Sequence, residues 1–369
     1  MIILGIDTSC DDTCISVIKS GIRKEGARRR REGGEYDASR GVVKFEILSN
    51  IVSSQVKLHA KYGGVYPSLA KREHQKNLSV VFKKALRQAQ GKQLDLIGVT
   101  TGPGLEPCLW QGVNFAKDLA RKLNLPIIPV NHIEAHILAN WLSPIRSKSK
   151  IIFPTICLVV SGGHTQLILT RNIGQYKLIG ETRDDAAGEC FDKVARILGL
   201  GYPGGPAIAR IAAQWKSEIR NPKSEIKLPR PMMYTKDYDF SFSGLKTAVL
   251  YSVRQLTVNS KQLTIKQKRE FCHEAQQAII DVLIHKTLRA AKNYRVKSII
   301  LGGGVAANDE LRKQFKEKIQ KEIPNTEYYI PDTKYCTDNA AMVVATSYFH
   351  QKEATKNWQK IKVDANLKI

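Results

Sequence analysis

The sequence predicts an α/β protein built as two lobes with a duplicated core and a central ligand cleft, and three observations carry that prediction. First, a pattern recurs. Ile2 to Ile6 is apolar, ends in the small, polar turn Asp7-Thr8-Ser9-Cys10-Asp11-Asp12-Thr13, and Cys14 to Ile18 runs back; Thr155 to Val160, Ser161-Gly162-Gly163-His164-Thr165 and Gln166 to Leu169 repeat it. Second, strand-like apolar runs alternate with helical periodicity along the chain. Third, 369 residues with 43% hydrophobic composition suffice for more than one core. A ligand held by the two turns would sit in the cleft between the halves.

Taken in order, the opening strand and return strand frame a turn whose backbone N–H groups can face a ligand oxygen. Asp11 and Asp12 either cap that turn or serve a ligand, and adjacent carboxylates favour the second reading. Residues 19 to 44 break the pattern; the consecutive Arg28 to Arg31 read as an exposed loop or hairpin tip, suited to RNA phosphates or simply solvated. Phe45 to Ser53 resumes strand character, and His59 to Pro67 is a Gly/Pro-punctuated loop. Leu78, Val81, Phe82, Ala85, Leu86 and Ala89 have amphipathic helical spacing. Leu96 to Thr101 is a strand, Gly102-Pro103-Gly104-Leu105 turns into a helix through Leu123, and Ile127 to Val130 is a further strand. Ser143 to Lys150 reads as a linker, which sets an N-terminal lobe at 1–142, with 335–352 packing back on it. A C-terminal lobe follows at 151–334, with a tail at 353–369. In the second lobe, Asp184 to Leu200 and Phe271 to Ala291 read as helices, and Ser241 to Lys246 starts another. Gly201 to Pro206 offers bare backbone to a flat ligand, Lys216 to Lys227 is a charged insertion, and Ile299 to Asn308 is strand, glycine turn, helix.

A formal charge of +24 exceeds what solubility needs and points to a polyanion, nucleic acid first. The seven cysteines, Cys10, Cys14, Cys108, Cys157, Cys190, Cys272 and Cys336, include no C-x-x-C and fit a reducing compartment better than a disulfide framework. No apolar run is long enough to span a bilayer and no signal peptide is evident, so a soluble, cytoplasmic protein without membrane contact is expected.

The most chemically pointed stretch is His132-Ile133-Glu134-Ala135-His136. Imidazoles four residues apart on a helix project from one face and can share a metal ion, although two ordinary buried histidines would read the same way. Glu134 lies two positions after His132, so it turns roughly 200° around the helix. That argues against the H-E-x-x-H protease arrangement. Asp338, at the start of a C-terminal helix, reads by default as an N-cap; as a third ligand, its hard oxygen beside two imidazoles would suit Fe(II), Mn(II) or Zn(II).

Beyond these readings, an ordered set of motifs closely resembles one family. It comprises Gly5 to Asp11, His59 to Pro67, Gly102 to Leu105, His132 to His136, Val160 to Thr165, Asp184 to Glu189, Phe191-Asp192-Lys193, Ser241 to Lys246, Gly302 to Asn308 and Cys336 to Asn339. The set is similar to the TsaD (Gcp) family, the tRNA N6-adenosine threonylcarbamoyltransferases. The resemblance implies a two-lobed fold of the actin, sugar-kinase and Hsp70 type, a duplicated ribonuclease H-like architecture. It also implies transfer of the threonylcarbamoyl group from threonylcarbamoyl-AMP to the N6 amine of the adenosine 3′ of the anticodon in tRNAs reading ANN codons, with release of AMP. By motif position it makes His132, His136 and Asp338 ligands of one Fe(2+), with zinc and manganese left open. Val159, Val160, Ser161, Gly162, Gly163, Asp192, Gly205 and Asn308 become the pocket for the adenylate. Asp11 is the candidate proton acceptor. A TsaB-like paralogue and a TsaE-like ATPase are the implied partners beside tRNA. Asp12 stands where the family usually has Glu, and Ala209 where many members have a polar residue. The rivals are a small-molecule kinase or ATPase of the same superfamily and a non-catalytic scaffold of the modifying complex; neither explains His132, His136 and the remote Asp338.

Overall fold

The computed structural model describes residues 1–23, 42–143, 151–218, 224–258 and 262–369. Arg28 to Arg31, nearly all of the expected linker and part of the Lys216 to Lys227 segment lie outside the described residues. Contacts group the chain into two units. One contains Met1–Ser53, Pro67–Lys150 and Asn339–Lys368; the other contains Ser54–Tyr66 and Ile151–Asp338. Residues 54–66 and 335–338 therefore group with the second unit and residues 339–368 with the first, whereas the sequence reading placed 54–66 and all of 335–352 with the N-terminal lobe and 353–369 as a tail.

The first unit has a five-stranded sheet in the order β3-β2-β1-β4-β5. These strands are β1 (Ile2–Asp7), β2 (Asp12–Arg23), β3 (Val42–Ser54), β4 (Leu96–Gly102) and β5 (Ile127–Asn131). β1 pairs antiparallel with β2, from Ile2 opposite Lys19 to Asp7 opposite Cys14, and parallel with β4. In β4 every residue is buried, as expected of a central strand covered on both faces. Between the strands run α1 (Val56–Ala60), α2 (Pro67–Gln88), α3 (Glu106–Leu123) and α4 (His132–Leu138), of which α1 belongs to the other unit. The apolar face read from sequence buries Leu78, Val81 and Ala85, but α2 starts well before it, at Pro67, whose fixed φ suits a first helical turn. His59, expected in a loop, lies in α1.

The second unit repeats the plan. Its sheet, in the order β10-β9-β6-β7-β8, reads from the other end as return strands, leading strand and two parallel neighbours, the same sequence of roles as in the first. It consists of β6 (Thr155–Val160), β7 (Thr165–Asn172), β8 (Gln175–Glu181), β9 (Ser298–Gly302) and β10 (Glu327–Tyr329). β6 pairs antiparallel with β7 and parallel with β9. The repeat seen in the sequence is thus a repeat of topology, with the Asp7 to Thr13 turn and the Ser161 to His164 turn at equivalent places. β8 escapes sequence reading because it alternates exposed Gln175 and Lys177 with partly buried neighbours and offers no apolar run. Besides α1, its described α-helices are α5 (Ala187–Ile197), α6 (Gly204–Glu218), α7 (Ser243–Leu256), α8 (Ile265–Asn293) and α9 (Asp309–Glu322). α8 starts earlier than its apolar core, at a capping box in which Thr264 and Gln267 exchange hydrogen bonds. α5 starts later than Asp184 because that carboxylate is engaged elsewhere, accepting from the Phe242 and Ser243 amides and from the Ser241 and Ser243 hydroxyls.

The last helix, α10 (Ala340–Phe349), returns to the first unit and packs on β1, β2, β4 and α4. It is apolar all round and buried from Ala340 to Tyr348, the signature of a helix inside a core. The sheet admits it so closely because Gly5 and Gly98 have no side chain. A Cβ on Gly5 would lie 2.8 Å from Val344 Cγ2 and against the Ala340 carbonyl, and one on Gly98 would collide with the Ser347 hydroxyl. The two strands therefore set how deep α10 lies. Among the described residues no helix is long and apolar enough to cross a membrane.

Candidate metal centre

β5 ends at Asn131, and this residue fixes the start of the histidine helix. Its Oδ1 accepts from Ile133 N (2.9 Å) and Glu134 N (3.2 Å), while its Nδ2 donates to Lys368 O (3.1 Å) in the C-terminal tail. All of α4 is buried, and the rings of His132 and His136, one turn apart, lie 4.6 Å between centroids. Asp338 precedes Asn339, and it is Asn339 that caps α10, accepting from Met342 N at 3.2 Å. The cap that sequence offers Asp338 by default is thus taken by its neighbour. One ligand atom from each of His132, His136 and Asp338 lies within 4.8 Å of the others, with both histidines buried and Asp338 half-buried.

The donor set fits a divalent transition metal. Two imidazole nitrogens and one carboxylate oxygen match iron, manganese or zinc, and three protein ligands leave room for a substrate oxygen. A further residue completes the arrangement. Asp7 Oδ2 lies 3.2 Å from His132 Nδ1, and its Oδ1 accepts from Ser9 N at 2.8 Å. A neutral His132 donating from Nδ1 to this buried carboxylate turns the lone pair of Nε2 outward, the orientation by which a carboxylate behind a histidine prepares it for a metal. Among the described residues the clustered donors include no thiol; burial pushes the thiols of Cys108 up to about 12 and of Cys336 up to about 11.

Glu134 does turn away from this face, as its position predicts. Its Oε1 lies 2.8 Å from Nε2 of His350 at the end of α10, and Glu353 Oε1 lies 2.8 Å from Nδ1 of the same ring. The hydrogen bond to Glu134 outweighs burial and, with that to Glu353, raises His350 to about 9. A histidine whose folded pKa lies above its unfolded value of about 6.5 contributes stability that is full below that value. The contribution is lost as pH rises through about 9. Proton NMR titration of the His350 ring is expected to show this midpoint, and Glu134→Gln to return it toward the ordinary histidine range; a wild-type midpoint near 6.5 would show that the pair does not hold the proton.

In the second unit, the Ser161-Gly162-Gly163 turn joins β6 to β7. Ser161 N donates to His164 O, and Ser161 Oγ accepts from His164 N. Among the described residues, chain neighbours aside, no atom lies within 4 Å of where a Cβ would stand on Gly162 or Gly163, so their backbone is open to a ligand. Gly188, in the first turn of α5, donates to Ser161 O at 3.2 Å, a closeness that a side chain there would forbid. The positive end of α5 is therefore beside the turn. Other residues expected in the pocket carry structural duties. Asp192 Oδ1 accepts from Gly204 N (2.7 Å), and Asn308 caps α9 through Leu311 N while donating to Gln276 Oε1. Gly205 sits in the first turn of α6, with Phe191 Cβ 3.9 Å from its notional Cβ. Val159 and Val160 are fully buried in β6, so their side chains belong to the core and only their backbone can serve a ligand.

A family model for the tRNA N6-adenosine threonylcarbamoyltransferase TsaD matches residues 46–345. A tRNA N6-adenosine threonylcarbamoyltransferase of Thermosipho africanus is 42% identical over all of both chains. That of Thermosipho melanesiensis is 44% identical over 94% of each. The chain belongs to this family. Among solved structures, full-length HypF in a phosphate- and nucleotide-bound form matches 95% of this chain and 46% of its own, with a TM-score of 0.53 at 11% identity, a likeness of fold alone. The α/β architecture with its duplicated sheets is the actin and sugar-kinase type that the TsaD family resemblance implies.

Of the residues singled out from sequence in this TsaD family member, His132, His136 and Asp338 come together. Asp11 is half-buried in the β1–β2 turn and lies outside that group; its charge is felt by Cys108. Asp7 was missed because a carboxylate ending a buried strand has no periodic signal. So were Asp185, Lys193 and Lys246 as a set: Asp185 lies 2.6 Å from Lys193 and 3.4 Å from Lys246, and Lys193 also meets Glu189 at 2.9 Å.

Proposed function

We propose that this chain transfers the threonylcarbamoyl group of threonylcarbamoyl-AMP to the N6 amine of the adenosine 3′ of the anticodon in tRNAs reading ANN codons. The convergence of His132, His136 and Asp338 carries this reading to a mechanism, since a kinase of the same fold has no use for it. In the family reaction, the N6 nitrogen attacks the carbamoyl carbonyl carbon, the carbon–oxygen bond to phosphate breaks, AMP departs and the amine loses a proton. The adenine amine is a poor nucleophile because its lone pair is delocalised into the ring, so orientation must supply much of the rate. Open N–H groups of Gly162 and Gly163, with the start of α5 beside them, suit the phosphate oxygens of the donor and of the leaving AMP.

His132, His136 and Asp338 would hold one iron, or zinc or manganese in its place, with Asp7 orienting His132. When bound, such an ion supplies Lewis-acid stabilisation of the charge that develops on donor oxygens. Asp11 is the proposed proton acceptor; it lies in the β1–β2 turn two residues before the buried run of β2 that starts at Thr13, and is itself half-buried. The chain would act in the cytoplasm with a TsaB-like paralogue and a TsaE-like ATPase, partners drawn from the family resemblance. The test is transfer of label from threonylcarbamoyl-AMP, carbon-labelled in its threonine, to tRNA with and without those partners. Label in N6-threonylcarbamoyladenosine is expected; ATP-dependent phosphorylation of a small molecule with no labelled tRNA would establish the kinase reading instead.

A further inference from the structure

The TsaD family motif His59 to Pro67 carries two tyrosines that the chemistry above leaves unused. Tyr62 and Tyr66 are each 55% exposed, and their rings stack on each other 5.7 Å apart at an interplanar angle of 27°. Lys61 Nζ lies 5.0 Å from the centre of the Tyr62 ring. Two large aromatic rings held together in water forgo the burial that usually recommends such side chains. The loop beneath them is stiff. His59 is fully buried, its Nδ1 accepting from Tyr66 N and its Nε2 facing Gln55 Oε1, each at 3.2 Å. Tyr62 N donates to His59 O at 2.9 Å, and Arg196 donates to the Gly63 carbonyl. The segment 54–66 contains Lys57 and Lys61 and no acidic residue.

We propose that Tyr62 and Tyr66 form a stacking platform for unpaired bases of the RNA substrate, with Lys57 and Lys61 meeting the adjoining phosphates. An exocyclic amine engaged in a base pair or buried in a stack cannot be acylated, so the reacting adenosine has to leave the stack and its neighbours lose a partner. A rigid aromatic face replaces that stack for any base, and a cation beside it suits the backbone. Because the loop is already ordered, little freedom is lost on binding. The identity of the occupant rests on the transferase reading, whereas the stacking itself does not.

The experiment measures fluorescence anisotropy of the full chain with an anticodon stem-loop RNA and, in parallel, with a fully paired hairpin of equal length. Tyr62→Ala with Tyr66→Ala is expected to weaken stem-loop binding about tenfold to a hundredfold. The salt dependence should stay unchanged because phosphate contacts remain. Tyr62→Phe with Tyr66→Phe keeps the rings and should bind as wild type. Placing 2-aminopurine beside the target adenosine should give quenching with wild type and the double Phe variant and not with the double Ala variant. Equal stem-loop affinity of wild type and the double Ala variant, or equal loss for the paired hairpin, overturns the platform. Wild-type protein that transfers label while the double Ala variant binds normally refutes the platform and leaves the transferase. Protein that transfers nothing yet loses unpaired-RNA binding with its tyrosines refutes the transferase and supports the platform.

Discussion

His136→Ala is expected to abolish both metal retention and tRNA modification while the protein stays folded. The His136 ring is fully buried and is one of only two imidazoles among the three clustered donors, so its loss leaves two ligands on different elements. Alanine is the best helix former, and the Asn131 cap of α4 is untouched, so α4 should persist. Asp7→Asn is the graded comparison. It keeps the shape and weakens the hydrogen bond that orients His132, which should lower metal affinity about 10- to 100-fold, the range for a group behind a ligand. The His136 variant should lose more than that. Metal analysis of anaerobically purified protein, circular dichroism melting and the labelled transfer assay read all three effects, and a His136→Ala protein that keeps its ion at wild-type occupancy would remove the metal centre from the mechanism.

Gly5→Ala is expected to destabilise the protein by about 1–3 kcal/mol, the usual penalty of an added methyl in a packed core. For a unit of this size that is a fall in Tm of roughly 2–4 °C per kcal/mol. The new methyl would meet Val344 and the Ala340 carbonyl and push α10 outward. Since Asp338 is joined to the cap of α10, displacement of the helix withdraws the carboxylate from the histidines, and metal content should fall with stability. Gly21→Ala on β2 of the same sheet is the control, because among the described residues nothing lies within 4 Å of where its Cβ would stand. Equal melting of the two variants would show that α10 is not seated by the bare surface of β1.

Much of this was legible in the chain itself, and the reasons differ by element. β1, β4, β6 and β9 are apolar runs bounded by turn residues, and α2 and α8 show an apolar face, so local pattern announces them. β8 is hidden by its polar alternation, and the start of α5 by the capture of Asp184 on the distant Ser241 and Ser243. In the candidate site, the i, i+4 spacing of His132 and His136 is a local fact that puts both rings on one face of α4. The turn of Glu134 away from that face was equally readable, though its partner His350 was not, since 216 residues separate them.

By itself the sequence determined the duplicated α/β plan, the family and the direction in which two imidazoles point, because each depends on periodicity or on motifs in fixed order. Tertiary structure alone decided that Asp7 stands behind His132, and it chose for Asp338, which the sequence left between an N-cap and a third ligand, the place beside the imidazoles; both depend on bringing distant segments together, across 125 residues in one case and more in the other. What allows that meeting is the absence of side chains at Gly5 and Gly98, a property visible in the sequence whose consequence appears only when a helix lies against the strand.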